Sequence, residues 1–571
     1  LLKMDFLGLR TLTVISKALA NIRANHGVDI NVDEIPFDDP EIYKLMREGR
    51  TAGVFQIESA GMTSTIKNMR PTEYKQVVAL IALYRPGPLG AGMVTSYINR
   101  MNGREEAVSY DPRLDDILGE TYGTMVYQEQ VMKISMKMSG FSAGESDSRI
   151  RKPVAKKKIK LLTSTVFHWD DGKDETTYDH WMNGAVKNGY KKEIAQRIWD
   201  DVLEFASYAF NKSHSAGYAI LVMQTAWLKA HYPREYMASV LTSYMGKTDK
   251  IVHYVTAYRH EGVAILPPDI NEGEAGFSVA GDSIRYGLAA IKSLGKSVID
   301  VMTQEREANG KYKDLKDFMG RLTSKEINKR TIENLIKSGA LDSFGKTRKQ
   351  QMLVYPVVLE QVNREKKESM SGQMSLFDFF SEEEKKEYEM QYPDVGEYDD
   401  AQKLALEKDV LGIYVSGHPL EKYMDSIEKQ TTARSTDFEP DEESGRAIVR
   451  DGQHYVVGGL ISNITAKLTK NNQNMAFVTL EDLYGTVEII VFPTIYQNVK
   501  SYLIEDNGLY VKGRASVSEE SGKLIAEYIV PIDQIPKEVW IQTENIGEFT
   551  DKQQGLYKII RKYPGKDEIV I

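Results

Sequence analysis

Cysteine is absent from this 571-residue chain, which excludes disulfides, thiolate metal sites and cysteine nucleophiles. Histidine is scarce: the nine present are scattered without metal-ligand spacing, so no structural zinc is expected. No apolar run approaches the ~20 residues of a membrane span, and no signal peptide is recognisable. The expectation is a cytoplasmic protein with no membrane association. No internal repeat is present. Charge of one sign is in mild excess, with a formal net charge of −9, but this does not exclude a polyanionic partner, because charge position matters more than the sum. A hydrophobic fraction of 42% and a charged fraction of 27% are ordinary for a globular chain, and its length suggests roughly three to five domains. The first residue is Leu within an apolar, strand-like run, so the chain is expected to be a fragment.

Against the acidic total stands a basic run from Arg149 to Lys160, Arg-Ile-Arg-Lys-Pro-Val-Ala-Lys-Lys-Lys-Ile-Lys, with no acidic residue in it. A solvated charged face is one reading; a polyphosphate or nucleic-acid backbone is the other. Pro153 costs roughly 3 kcal/mol inside a helix but fits a first turn, so a break or a helix start is predicted there. Beyond it, Lys156 and Lys160 stay on one face.

Leu1 to Arg10 reads as a short strand and turn. Lys3 and Asp5 share one face of it, which suits a metal beside a phosphate, although a single Asp is commonly an ordinary polar residue or cap. Thr11 to Ala24 is predicted helical with a stripe of Leu12, Ile15, Leu19 and Ile22. Ile81 to Leu89, Ile-Ala-Leu-Tyr-Arg-Pro-Gly-Pro-Leu, predicts a rigid turn after a helix with Arg85 at the turn; Arg85 is equally a helix-end cation for free carbonyls. Gln128-Glu129-Gln130 within an apolar helix is either a functional polar stretch or simply the wet side of that helix. In Phe210-Asn211-Lys212-Ser213-His214-Ser215, Ser213 or Ser215 is predicted to cap a helix running through Trp227 and Leu228 and stopping by Pro233. Lys212 and His214 precede its positive end, where anions bind; a capped core helix with a polar entry loop is the bland alternative. From Tyr455 to Val530, five runs (455–461, 475–481, 486–492, 509–517 and 524–530) predict an OB-fold barrel. Phe477, Tyr484, Phe492 and Tyr496 are either base-stacking or core residues.

Lys3-Met4-Asp5-Phe6-Leu7-Gly8-Leu9-Arg10, Gly53 to Met62, Ile81 to Leu89, Glu120 to Met132, Phe210 to Ala219 and Leu411 to Leu420 together resemble the alpha subunit of bacterial DNA polymerase III. This is the C-family replicative polymerase, here of the DnaE type. The resemblance covers nearly the whole chain in family order, apart from Leu161 to Tyr190 and the tail. It implies that Asp5 is one of three metal-binding carboxylates, for Mg²⁺, with Lys3 a phosphate contact. The other two carboxylates and the amino-terminal phosphoesterase-like domain are not in this sequence. Where the family places a pair of arginines on the incoming triphosphate, this chain has Arg151 and Lys152, with Lys156 and Lys157 following. It departs from the pattern by Lys152 for Arg, Pro153 for Ala, Ala155 for Gly and one extra residue after Asp147. Arg85, Asn211, Lys212, Ser213 and His214 join the implied nucleotide-binding set. Gln373, Leu376 and Phe377 in an acidic linker resemble the clamp-binding pentapeptide of replication proteins, Gln-x-x-Leu-Phe in form.

The implied fold is multidomain and mainly α (fingers, helix-hairpin-helix), with a C-terminal all-β OB-fold barrel. The implied divisions are 1–30 end of palm, 31–80 thumb-to-fingers passage, 81–280 fingers, 281–372 helix-hairpin-helix and clamp-binding domain, 373–440 clamp motif and connector, 441–535 OB-fold and 536–571 the start of a further domain. The implied activity is template-directed transfer of a deoxynucleotide from a dNTP to a primer 3′-hydroxyl. The partners are primer-template DNA, dNTP, the sliding clamp and other replisome subunits. With one carboxylate for two metal ions, the chain alone is expected not to polymerise. A non-catalytic DNA-holding and clamp-tethering half of a split polymerase is the alternative reading, and a degenerate homologue a third.

Overall fold

A computed structural model describes residues 8–155, 160, 166–168, 174–205, 210–322, 328–370, 391–438, 447–469, 471–517, 522–534, 538–540, 546–562 and 568–570. The chain forms two compact units, Leu1–His418 and Pro419–Ile571.

The first unit is mainly helical around three apolar clusters. The helix Arg10–His26 stops at Gly27, whose left-handed backbone (φ 67) turns its N–H back to the Arg23 carbonyl. Its buried stripe is Val14, Ile15, Ala18 and Ile22, whereas Leu12 is 54% exposed. The stripe is thus rotated from the predicted one. Helix Pro233–Ser243 packs alongside, and the Asn21 amide donates to Ser239 Oγ at 3.1 Å across that contact.

The helix Tyr74–Leu83 opens on a reciprocal cap between Glu73 and Gln76 and ends at Tyr84. Arg85 precedes Pro86, whose ring disfavours the helical region for its neighbour. Arg85 is accordingly extended (φ −155, ψ 156), and Pro86 starts the short helix Pro86–Gly90. The turn therefore sits where the sequence places it. Helix Lys212–His231 runs through Trp227 and Leu228 and gives way to helix Pro233–Ser243, again with Pro at a first helical position. Its buried side chains, Ala219, Val222, Met223 and Ala226, join the cluster that holds Tyr74–Leu83. Gly184 lies against a neighbouring helix so tightly that a Cβ there would stand 1.9 Å from the Ser139 carbonyl oxygen. Helices Lys296–Asn309, Leu315–Arg321 and Lys329–Ser338 follow a three-stranded sheet.

In the second unit, strands β1 (His454–Leu468), β2 (Asn474–Glu481), β3 (Thr486–Val491), β4 (Gly508–Val517) and β5 (Gly522–Pro531) close a barrel in the order β5-β3-β2-β1-β4. β5 pairs parallel with β3 and antiparallel with β4, and helix Pro493–Val499 bridges β3 to β4. This is the predicted OB topology. A bulge between Ala526 and Tyr528 bends β5 over β4. Gly513 sits beneath it, where a Cβ would lie 2.1 Å from the Ile525 carbonyl oxygen.

Candidate nucleotide and nucleic-acid site

Arg85 has the helix-end contact that one of its two readings predicts. Its Nη2 donates to the Ala82 carbonyl at 3.2 Å, closing the end of helix Tyr74–Leu83. Its guanidinium carbon lies 3.4 Å from the centre of the Phe210 ring, a stacked cation–π arrangement. Burial lowers its pKa from the ordinary arginine value. Among the described residues no carboxylate forms a salt bridge with it.

Phe210 is held by the backbone: Gln128 N–H donates to its carbonyl at 2.8 Å, in a parallel bridge between Tyr127 and Phe210. The next residue, Asn211, is the helix cap. Its Oδ1 accepts from His214 N at 2.9 Å and from Ser213 Oγ at 2.8 Å. The predicted caps Ser213 and Ser215 are corrected here. Asn211 is the last extended residue (φ −81, ψ 122), so both serines already lie inside the helix, and Ser215 Oγ donates back to the Lys212 carbonyl at 3.0 Å.

Lys212 begins the helix between two carboxylates. Its backbone N–H lies 3.0 and 3.2 Å from the two Glu129 oxygens. Its Nζ donates to both Glu120 oxygens at 2.7 Å and lies 5.3 Å from the Tyr127 ring centre. His214 is exposed and sits 5.5 Å from Phe210 and 4.5 Å from Tyr218, ring centre to ring centre; Tyr218 is 5.4 Å from Phe55. Arg85, Phe210, Asn211, Lys212, Ser213 and His214 are thus gathered by pairwise contacts at the start of a long helix.

The Gln-Glu-Gln stretch is not a wet side. Gln128 and Gln130 are buried, Gln130 to 2% exposure. The Gln130 carbonyl oxygen accepts from Val126 N and Tyr127 N at 2.9 and 3.0 Å, and its amide donates to Ile117 O and Thr121 Oγ1 at 3.1 and 2.8 Å. It fixes the turn that carries Tyr127 and, through the bridge, Phe210.

The basic run begins as the sequence predicts: Pro153 lies in the first turn of an α segment, Lys152–Ala155, which follows a wider π turn, Ser146–Arg151. Arg151 Nε and Lys152 Nζ both bind Asp147, the lysine at 2.8 Å. Those two bonds, Lys152's first, hold the Asp147 carboxyl below its ordinary pKa. Part of the charge is therefore answered by the acid just upstream. Among the described residues, no contact joins Arg151 or Lys152 to Arg85 or Lys212. Lys3, Asp5, Lys156, Lys157, Gln373, Leu376 and Phe377 lie outside the described residues. Among the described residues no group of three or more His, Asp or Glu is placed to hold a metal ion, so no chemical step is assigned through a metal here.

Sequence reasoning misses three features. Glu120 and Glu129, acids facing Lys212, sit within stretches it marks, but only the tertiary fold pairs them. A cleft of about 460 Å³ lies beside the Phe55 end of the aromatic row, lined among others by Arg10, Phe55, Glu58, Tyr84, Tyr244 and Tyr254. Arg348, 1% exposed, binds Asp342 and the fully buried Glu407, both at 2.8 Å, tying the helical module to residues beyond 400. In the barrel, the four aromatics in question lie outside the buried core: Phe492 is 44% exposed, Lys467 Nζ lies 4.9 Å from the Phe477 ring centre and the Arg434 guanidinium 4.2 Å from that of Tyr484. Tyr496 packs partly buried against the core.

A mainly helical unit is thus followed along the chain by a closed five-strand OB barrel. Residues 11–172 match the bacterial DNA polymerase III alpha subunit finger domain, 262–351 a helix-hairpin-helix motif and 455–532 an OB-fold nucleic-acid-binding domain. The chain is 38% identical over 569 residues to DNA polymerase III subunit alpha of Aquifex aeolicus, covering 99% of this chain and 45% of that protein. It is 36% identical over 580 residues to that of Mycobacterium tuberculosis (100% and 47%), and 36% identical over 535 residues to that of Vibrio cholerae (92% and 44%). The chain is similar along nearly its whole length to bacterial DNA polymerase III alpha subunits. It spans a little under half the length of these relatives.

Proposed function

We propose that this chain grips an incoming deoxynucleoside triphosphate and holds DNA for template-directed transfer of a deoxynucleotide to a primer 3′-hydroxyl. The observation that carries the reading is this cluster. A stacked, partly buried arginine inside the fingers match (residues 11–172) meets a lysine and an Asn-capped helix start that follow that match, ahead of a helix-hairpin-helix motif and a nucleic-acid-binding barrel. A helix start carries a positive partial charge that favours phosphate, and Arg85 and Lys212 add charge-assisted donors. His214 and Tyr218 supply ring faces beside them. In this reading 81–280 form the fingers, Arg151, Lys152, Lys156 and Lys157 extend the phosphate cradle, and the barrel's outward aromatics meet single-stranded bases. Asp5 would hold Mg²⁺ with Lys3 beside it, and the metal would supply charge to the phosphates. Gln373, Leu376 and Phe377 would tether the sliding clamp, other replisome subunits completing a cytoplasmic assembly.

Fluorescence titration of the chain with methylanthraniloyl-dATP tests this. Arg85→Ala and Lys212→Ala are each expected to weaken binding roughly ten- to hundredfold, the scale of a lost charge-assisted bond. Nucleotide binding indifferent to both, or none by the parent chain, would overturn it. Primer-template affinity should fall by up to ~0.9 log units per log unit of salt for each phosphate neutralised.

A further inference from the structure

Lys212 meets its carboxylates in an arrangement suited to phosphate. Two oxygens of one carboxylate sit 2.7 Å from its ammonium, while oxygens of a second accept its backbone N–H at 3.0 and 3.2 Å. The two acids are held differently. Glu129 lies within helix Gln128–Ser139, one residue from the buried Gln130 that pins that helix's first turn. Glu120 lies in a single turn, Gly119–Thr121, with its side chain 36% exposed and the Lys212 side chain 39% exposed. Glu120 also has a second cation close by: Lys75, paired with Glu73 at 2.8 Å, feels the Glu120 charge. One carboxylate is carried by a full helix; the other stands on a single turn, partly exposed.

We infer that Glu120 is a placeholder for phosphate: without nucleotide it holds Lys212, and the incoming triphosphate displaces it and takes over the ammonium. This rests on the nucleotide-binding reading above and deepens it. The consequence is selective. Counting Arg85, Lys212, Glu120 and Glu129, the site is neutral, two charges of each sign. A ligand must therefore bring enough negative charge to outbid a carboxylate already in place. A triphosphate does so most strongly, a monophosphate less, and an uncharged nucleoside not at all. Glu120 would thus set preference for the most highly charged nucleotide.

The test is the same titration on Glu120→Gln, with methylanthraniloyl-labelled dATP and dAMP compared. Glu120→Gln is expected to tighten dATP binding roughly two- to fivefold, the scale of an exposed ion pair, to tighten dAMP by a larger factor, and so to narrow the discrimination between them. Glu120→Asp should restore the parent preference, and in a Lys212→Ala background the gain should disappear, which a purely structural role would not produce. Weaker or unchanged dATP binding by Glu120→Gln, or an equal gain without Lys212, overturns the inference while leaving the nucleotide-binding reading intact. Failure of the parent chain to bind either nucleotide removes both.

Discussion

Gln130 offers a sharp test of how the site is held. Gln130→Leu keeps the volume close but removes an acceptor from two backbone N–H groups, those of Val126 and Tyr127, on residues that are each 2% exposed. A buried donor left without a partner costs about 1–3 kcal/mol, so two cost about 2–6 kcal/mol. The Thr121 hydroxyl loses little, because it still donates toward Thr124 O. A net loss of about 3 kcal/mol is expected, equivalent to roughly a hundredfold change in a local opening constant. Hydrogen–deuterium exchange read by mass spectrometry should show it in two places: peptides spanning 121–131, and peptides spanning 210–215, which are tied in through the Gln128 to Phe210 bond. Gln130→Glu, which keeps an acceptor but no amide donor for Ile117 O, should fall between. Parent-like protection in both segments of Gln130→Leu would refute the reasoning and return the residue to a solvated helix face.

Other consequences are more local. Lys229, with a fully buried side chain, donates to Arg50 O, Ala52 O and Glu261 Oε1 at 2.8, 2.9 and 2.6 Å, and burial lowers its pKa to about 8 despite the acid beside it. Lys229→Met should cost about 3 kcal/mol in urea unfolding by stranding Glu261, and Lys229→Met with Glu261→Gln should recover much of it; equal losses for the single and double variants would contradict this. The Asp111 carboxyl, held down to about 2 from 3.8 by the Arg113 guanidinium, stabilises the fold above the unfolded value and loses that effect as pH falls through the folded one. The stability gap between parent and Asp111→Asn should therefore be level above about pH 4 and close by about pH 2, and a gap that persists in acid would count against the pairing. With Asp5 the sole proposed metal carboxylate, the isolated chain should not extend a primer in Mg²⁺, and robust extension would defeat that expectation.

The sequence carries most of the architecture because its signals are local. Pro86 and Pro233 mark helix starts, Gly27 marks a stop, and alternation between Gly turns marks all five barrel strands. What it does not carry is set by tertiary partners. The buried face of Arg10–His26 rotates away from Leu12 because helix Pro233–Ser243, some two hundred residues on, decides which side is covered. The Gln130 amide looks solvated in a one-dimensional pattern and is buried because Ile117 and Thr121 come to it. Within the site, Arg85, Asn211 and Lys212 are legible from turn and cap chemistry, but the carboxylates opposing Lys212 are not. They lie 92 and 83 residues away in the chain, where no periodicity relates them. The Arg151 pairing with Asp147 is legible, since an acid four residues before a cation shares its helix face; Lys152, five residues on, reaches the same acid across the wider π turn.

In the proposed function the Arg85, Phe210 and Lys212 side chains receive a triphosphate. A crystal structure of the chain with dATP bound tests it most directly. Phosphate oxygens are expected within hydrogen-bonding distance of the Lys212 ammonium and the Arg85 guanidinium, with Glu120 turned away from Lys212. A nucleotide bound elsewhere, with Glu120 still closed on Lys212, would contradict it.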